Sequence, residues 1–206
     1  MAVDKRVDRR RPEERRGQGK PTAGATRRAQ LYRQTLEGIG EQNRRMESMR
    51  VALELAQAEV WNWADVANPR PWADYFATLS VVHDFNVGRE KLVRRATLLK
   101  QMGSGARVEA ASVLNQAKAA AAYAQEMKGI FFRLTDLDAK VGLIPSKLSP
   151  SQRAEVQGAL KRALSLLDEH RRQIAAGSIH ESDNDREVRM LLERHLSVVA
   201  GRFEGG

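Results

Sequence analysis

Between Ile39 and Ala67 an apolar residue returns every seven positions: Ile39, Met46, Leu53, Val60 and Ala67. A second series, Gln42, Met49, Ala56 and Trp63, follows three residues behind. That spacing puts both series on one side of an α-helix, and the side so formed needs a partner along its whole length. A strand cannot satisfy the pattern, because strand side chains alternate with period two. The helix is expected from about Arg27 to Asn68. Gly38 and Gly40 lie inside it, and each costs about 1 kcal/mol relative to alanine. Asn68-Pro69-Arg70-Pro71 should end it, since proline lacks an N–H and restricts the residue before it.

The same spacing recurs downstream. Val113, Ala120, Met127, Leu134 and Val141 are seven apart, interleaved with Ala110, Ala117, Ala124 and Phe131. Eight of the fifteen residues from Ala110 to Ala124 are alanine, small enough to let a neighbouring helix come close. Between the two heptad segments, a helix from Pro71 to about Met102 carries two stripes. The first is Trp72, Phe76, Leu79 and Val82, the second Leu92, Ala96, Leu99 and Met102. Gly103-Ser104-Gly105 reads as a turn, and the third helix is expected from about Ala106 to Val141. Gly142-Leu143-Ile144-Pro145 is a stop: glycine able to turn left-handed, an apolar residue, then proline.

Ser149-Pro150-Ser151-Gln152 is the clearest local signal in the chain. Ser149 caps a fourth helix, Pro150 fits its first turn, and Gln152 reaches back to close a capping box. Val156, Leu160, Ala163, Leu167 and Ile174 form the apolar face, and Gly177 ends it. A fifth helix starts near Ser182 or Asp183, lined by Val188, Leu191, Leu192, His195, Val199 and Phe203. No segment alternates as a strand would. The expected fold is all-α: a bundle of four to five helices, the first and third long and coiled-coil-like. It occupies residues 27–206, behind a disordered basic arm at 1–26.

Function must be sought among the charges. The chain has 35 Lys and Arg against 26 Asp and Glu, a net +9. Residues 1–28 hold ten of the bases (Lys5, Arg6, Arg9, Arg10, Arg11, Arg15, Arg16, Lys20, Arg27 and Arg28) against four acids. That segment alone carries +6, with almost no large apolar residue whose burial could offset ordering. A second run lies in the second helix, where Arg89, Lys91, Arg94 and Arg95 meet a single acid, Glu90, and Lys100 and Arg107 follow. Lys91, Arg94 and Arg95 are expected on a face opposite Leu92, Ala96 and Leu99. Arginine forks donate paired hydrogen bonds to phosphate. Arm and helix together suit salt-sensitive, sequence-independent binding of nucleic acid.

The groups an enzyme would need are sparse. Cysteine is absent, which excludes disulfides, thiolate metal sites and a thiol nucleophile. His83, His170, His180 and His195 form no metal-binding spacing, and Gly103-Ser104-Gly105 follows no strand and has no phosphate-loop spacing. No Gly-x-Ser-x-Gly elbow occurs. Asp65, Asp74 and Asp84 are read as caps or solvated residues. The expectation is a non-enzymatic protein with no cofactor and no metal.

Two surfaces are expected to make protein contacts. The first-helix seam, Ile39, Met46, Met49, Leu53 and Val60, suits self-association, with Gln42 as a polar register-setter. The corner Trp61, Trp63, Trp72, Tyr75 and Phe76 concentrates aromatics, either as a local core or as an anchor for a partner. This defines an alternative function: a structural or adaptor module whose arm docks on an acidic partner. The N-terminus lacks the apolar region of a secretion signal, and no stretch reaches the ~20 apolar residues of a membrane span. A cytoplasmic or virion-associated location is expected. Leu148-Ser149-Pro150-Ser151-Gln152-Arg153-Ala154 is similar to a helix start found in some phage terminase small subunits, which are helical, oligomeric DNA-binding proteins. The likeness covers these seven residues and implies a helical, oligomeric DNA-binding protein; a phage packaging or virion component, or a plasmid or chromosome accessory protein, fits the charge-based reading. It assigns no site residue.

Overall fold

The computed structural model describes residues 22–63, 67–102 and 111–204. Five α-helices account for nearly all of them, with no strand among the described residues: α1 (Ala23–Asn62), α2 (Arg70–Gln101), α3 (Ala111–Val141), α4 (Pro150–Ala175) and α5 (Asp183–Glu204). A single 3-10 turn, Pro145–Lys147, lies between α3 and α4. None of the described helices is long and apolar enough to cross a membrane.

Each helix packs on the one before it, and side-chain pairs show that each runs antiparallel to its predecessor. Between α1 and α2, Arg28 donates to the Met102 carbonyl. A Cβ on Gly38 would meet Leu92, and one on Gly88 would meet Gln42. The Arg45 guanidinium lies 5.9 Å from the centre of the Phe85 ring. All four pairs are symmetric about position 65, so the two helices hold one register over most of their length. Phe76 meets Tyr123 and Phe131 across α2 and α3. Arg162 pairs with Glu126 across α3 and α4, and Gln157 donates to the Phe203 carbonyl across α4 and α5. α5 then returns to the start of the core, where the His195 ring lies 5.7 Å from Trp72 and 6.2 Å from Phe131. The result is a helical bundle closed by α2, α3, α4 and α5, with α1 along α2.

The core follows the apolar periodicity. Trp72, Phe76, Met127, Phe131, Leu134, Val156, Leu160, Leu167, Val188, Leu192, Leu196 and Val199 are all buried in one cluster. Trp72, Phe76 and Phe131 stack with ring centres 5.6–6.2 Å apart. From α1 the cluster takes nothing before Leu53, and from α2 nothing after Leu79. One end of the molecule, here called the base, therefore holds the shared core. The other end, the tip, is where α1 begins and α2 finishes.

Helix ends obey local chemistry. Ser149 and Gln152 form both bonds of the capping box, 3.2 and 2.9 Å. Gly142 and Gly177 take φ of +71° and +67°, which glycine alone adopts without strain. Ser182 caps α5 by accepting from the Asp185 N–H. Two boundaries differ from the sequence-based expectation. α1 begins at Ala23 rather than Arg27, because the Thr22 hydroxyl accepts from the Ala25 N–H and caps the helix there. It ends at Asn62 rather than Asn68. Trp63 closes it by donating its backbone N–H to Glu59, and Ala67–Pro69 are not helical. The described part of α3 begins at Ala111, and the expected turn at Gly103-Ser104-Gly105 lies outside the described residues. α1 also runs unbroken through Gly38 and Gly40. At Gly38 the missing side chain makes room for Leu92: a Cβ would lie 3.1 Å from its Cδ1.

Candidate nucleic-acid interface

The constant register of α1 and α2 has an electrostatic consequence. It carries the start of α1, with Arg27 and Arg28, to the end of α2, with Arg94, Arg95 and Lys100. The tip, residues 23–45 and 86–102, holds ten Lys or Arg against three Glu, a net +7. Residues 46–85 and 103–206 hold 17 bases against 19 acids, a net −2. Two basic runs some sixty residues apart in sequence thus become one patch. Residues 1–21, with Lys5, Arg6, Arg9, Arg10, Arg11, Arg15, Arg16 and Lys20, lie outside the described residues. They join the chain at this same end, because α1 starts at Ala23.

The three tip acids are already engaged or solvated. Glu41 accepts from Arg44 at 2.7 Å and Arg45 at 3.0 Å. Those two bonds, Arg44 first, hold its carboxyl below the usual carboxylate range. Glu90 is buried and accepts two N–H groups from its neighbour Arg89. Glu37 is exposed. Arg27, Arg33, Lys91, Arg94, Arg95 and Lys100 are exposed and pair with no acid among the described residues. Lys91, Arg94 and Arg95 share one face of α2 with Leu98, also exposed, while Ala96 is buried and Leu92 and Leu99 are half-buried. An exposed arginine without an acid partner keeps its whole donor fork for an incoming phosphate.

The residues expected at protein interfaces divide. Val60 is 0% exposed and sits in the core, and Leu53 packs against it. Ile39, Met46 and Met49 are half-buried. The seam side of α1 is the side laid on α2 of the same chain, where Gln42 reaches the Gly88 backbone. Trp61 is 48% exposed. Trp63, expected in the seam, is 44% exposed, because the helix ends before it. Its indole N–H donates to the Glu59 carboxylate at 3.2 Å. The aromatic corner is therefore split, with Trp72, Tyr75 and Phe76 inside and Trp61 and Trp63 outside. The outer face of α1 adds Val51 and Leu55, both exposed.

Among the described residues no group of three His, Asp or Glu could hold a metal. His195 is 3% exposed among aromatic rings, and burial, followed by the charge of Arg202, lowers its pKa to about 4. The feature that sequence reading missed is a cavity ringed by His83, His170, Tyr75, Tyr123, Asp185 and Arg189. These residues come from four different helices and have no common spacing. The only local hint is that His83 and Asn86 follow the Trp72–Phe76–Leu79 stripe along α2. Compared with protein-family models, with curated proteins and with solved structures, the chain matches none.

Proposed function

We propose that this chain is a non-enzymatic protein that binds nucleic acid through the phosphate backbone, using the tip of the α1–α2 pair together with the segment that precedes it. The observation that carries this reading is the charge division: +7 on the tip against −2 on residues 46–85 and 103–206. A dipolar layout of this kind orients the molecule in the field of a polyanion and presents one end to it. Each phosphate neutralised releases counterions, so affinity should fall with salt by about 0.9 log unit per contact per decade. No base-reading module accompanies the patch, and binding is expected to be indifferent to sequence.

A packaging, virion or plasmid accessory role fits this reading, since each needs a protein that holds nucleic acid without reading it. Self-association would raise affinity by bringing two tips to one strand. With Val60 and Leu53 used inside the chain, the outer face of α1 still offers Val51 and Leu55, with Trp61, to a second copy.

The test is fluorescence anisotropy of labelled duplex DNA and single-stranded RNA across a salt series, with the full chain and with one lacking residues 1–21. Binding that weakens steeply with salt, and whose slope flattens on truncation, supports the reading. Equal, weak binding by both near physiological salt defeats it. The exposed Trp61 and Trp63 would then favour the second reading, an adaptor that engages another protein through the outer face of α1.

A further inference from the structure

A cavity of about 290 Å³ opens between α2, α3, the end of α4 and the start of α5. Its accessible floor is apolar, Leu79, Val113, Ala120 and Ile179, with Trp72 and Phe76 nearly covered behind them. Above the floor stand neutral hydrogen-bonding groups, the imidazoles of His83 and His170, the carboxamides of Asn86 and Gln116, and the Tyr123 phenol. His170 stacks on Tyr123 with ring centres 4.2 Å apart and planes 7° from parallel. Its Nδ1 is buried without a hydrogen-bond partner, and His83 makes no hydrogen bond with a described residue. Buried polar groups are nearly always paired, and each one left unpaired costs about 1–3 kcal/mol. His170 Nδ1 is such a group, and a molecule in the cavity beside it can supply the missing partner.

The charges narrow what that is. Burial lowers the pKa of both His83 and His170. Each ring is therefore neutral at pH 7 and offers one donor and one acceptor nitrogen. Glu181 and Asp185 outnumber Arg189 around the cavity, so an anion is unwelcome. Yet neither carboxylate waits for a cation. Glu181 is neutralised by both prongs of Arg189, at 2.7 and 3.1 Å, and Asp185 is exposed, its charge screened by water, with the Ser182 hydroxyl bound at 2.6 Å. The remaining demand is for an uncharged molecule that is apolar on its faces and carries donors and acceptors on its edge. The volume lies near the lower end of the ~300–1,000 Å³ range of small-molecule sites.

We propose that this cavity binds a planar, uncharged nitrogen heterocycle of the size of a purine or pyrimidine base. The ring lies against Leu79, Val113 and Ala120, and its edge meets His83, His170 and Gln116. The site is distinct from the basic tip and does not depend on it.

The test is titration of the full ¹⁵N-labelled chain with adenine and cytosine, and with adenosine monophosphate and benzoate as anionic comparators. It is followed by calorimetry and by the imidazole nitrogen resonances. For a ligand of about ten heavy atoms a Kd of about 1 mM or tighter is expected. The His83 and His170 resonances should move saturably, while those of His195, which does not line the cavity, stay in place. The anions should bind at least ten-fold more weakly. Ala120→Leu, which fills the space, should abolish binding. If that variant does not fold, Gln116→Leu keeps the volume, removes one edge partner, and should weaken binding about ten-fold. Three results would each overturn the proposal: no movement of His83 and His170 with either base up to several millimolar, a cavity that holds water only; anions binding as well as the bases; or unchanged binding in a folded Ala120→Leu or Gln116→Leu chain.

Discussion

The base and the tip are made from the same two helices and are held together by different physics. At the base, α1 and α2 join α3, α4 and α5 around Trp72, Phe76, Phe131 and their aliphatic neighbours. At the tip the same α1 and α2 meet through Leu92 against Gly38, Gln42 beside Gly88 and Arg28 on the Met102 carbonyl, with Arg45 over Phe85 at its edge. The apolar interior supplies stability that depends on the area removed from water. The polar pairs at the tip are partly solvated and contribute little net energy. Stability and charge thus occupy opposite ends of one long hairpin. The tip can concentrate +7 of like charge because the base bears the cost of its self-repulsion.

The largest effect should come from breaking the base. Phe131 is fully buried and stacks on both Trp72 and Phe76. Phe131→Ala is expected to cost about 3–5 kcal/mol, read as a drop in the urea midpoint without a change in slope. By contrast, Lys91→Ala at the tip should move stability by less than about 0.5 kcal/mol. If the two changes cost the same, the division of labour is wrong.

A second, smaller effect uses pH. The buried His195 has its pKa lowered to about 4, against an ordinary value of 6.5. A histidine whose folded-state pKa lies below its unfolded one is held neutral by the fold. Its contribution is fully present above pH 6.5 and is lost as pH falls toward 4, by about 3 kcal/mol in all. His83 and His170 shift in the same direction and add to the loss. Urea midpoints at pH 7.5 and 4.5 should therefore diverge, and His195→Leu should narrow the gap. An equal gap in the variant would place the acid sensitivity elsewhere.

The tip is tested by removing its charge. Lys91→Ala, Arg94→Ala and Arg95→Ala combined remove three bases that have no acid partner among the described residues. If all three contact phosphate, the salt dependence of DNA binding should flatten by about 2.7 log units per decade. The melting temperature should stay within a degree or two. An unchanged slope would move the nucleic-acid contact from the helix to the segment before it.

How far each end was legible in the sequence follows from the same contrast. The stripes of α4 and α5, from Val156 to Leu167 and from Val188 to Phe203, could be read directly, because each helix buries one face in one core. The cap at Ser149 and the stops at Gly142 and Gly177 were local and equally readable. The end of α1 was misplaced, because the heptads run on to Ala67 while the helix closes at Trp63 on a bond to Glu59. Arg94 and Arg95 each stand out as basic, but their lying at the same end as Arg27 and Arg28 depends on the register of two antiparallel helices, a tertiary fact. The cavity was further still from view. His83, Gln116, His170 and Arg189 come from four helices, and nothing in the spacing of one helix records where another will cross it.

The finest test of the contrast is Gly88→Ala, because its sign is open to measurement. A Cβ at Gly88 would sit 3.3 Å from the side-chain amide of Gln42, tighter than an ordinary contact. Alanine in place of glycine inside a helix gains about 1 kcal/mol from propensity. Gln42 is half-buried and its amide is the free end of a flexible side chain. At a loosely packed, partly solvated tip it swings aside, and the variant comes out more stable by up to about 1 kcal/mol. Were the tip packed like the base, the amide would be locked and the crowding would outweigh the gain, so that Gly88→Ala destabilised the chain. The equivalent crowding at Gly38, 3.1 Å from Leu92 Cδ1, supplies the internal comparison. There the neighbour is an apolar side chain on α2, and Gly38→Ala should be the less favourable of the two. Urea midpoints of both variants, set beside the unaltered chain, decide between a tip that yields and a tip that is packed.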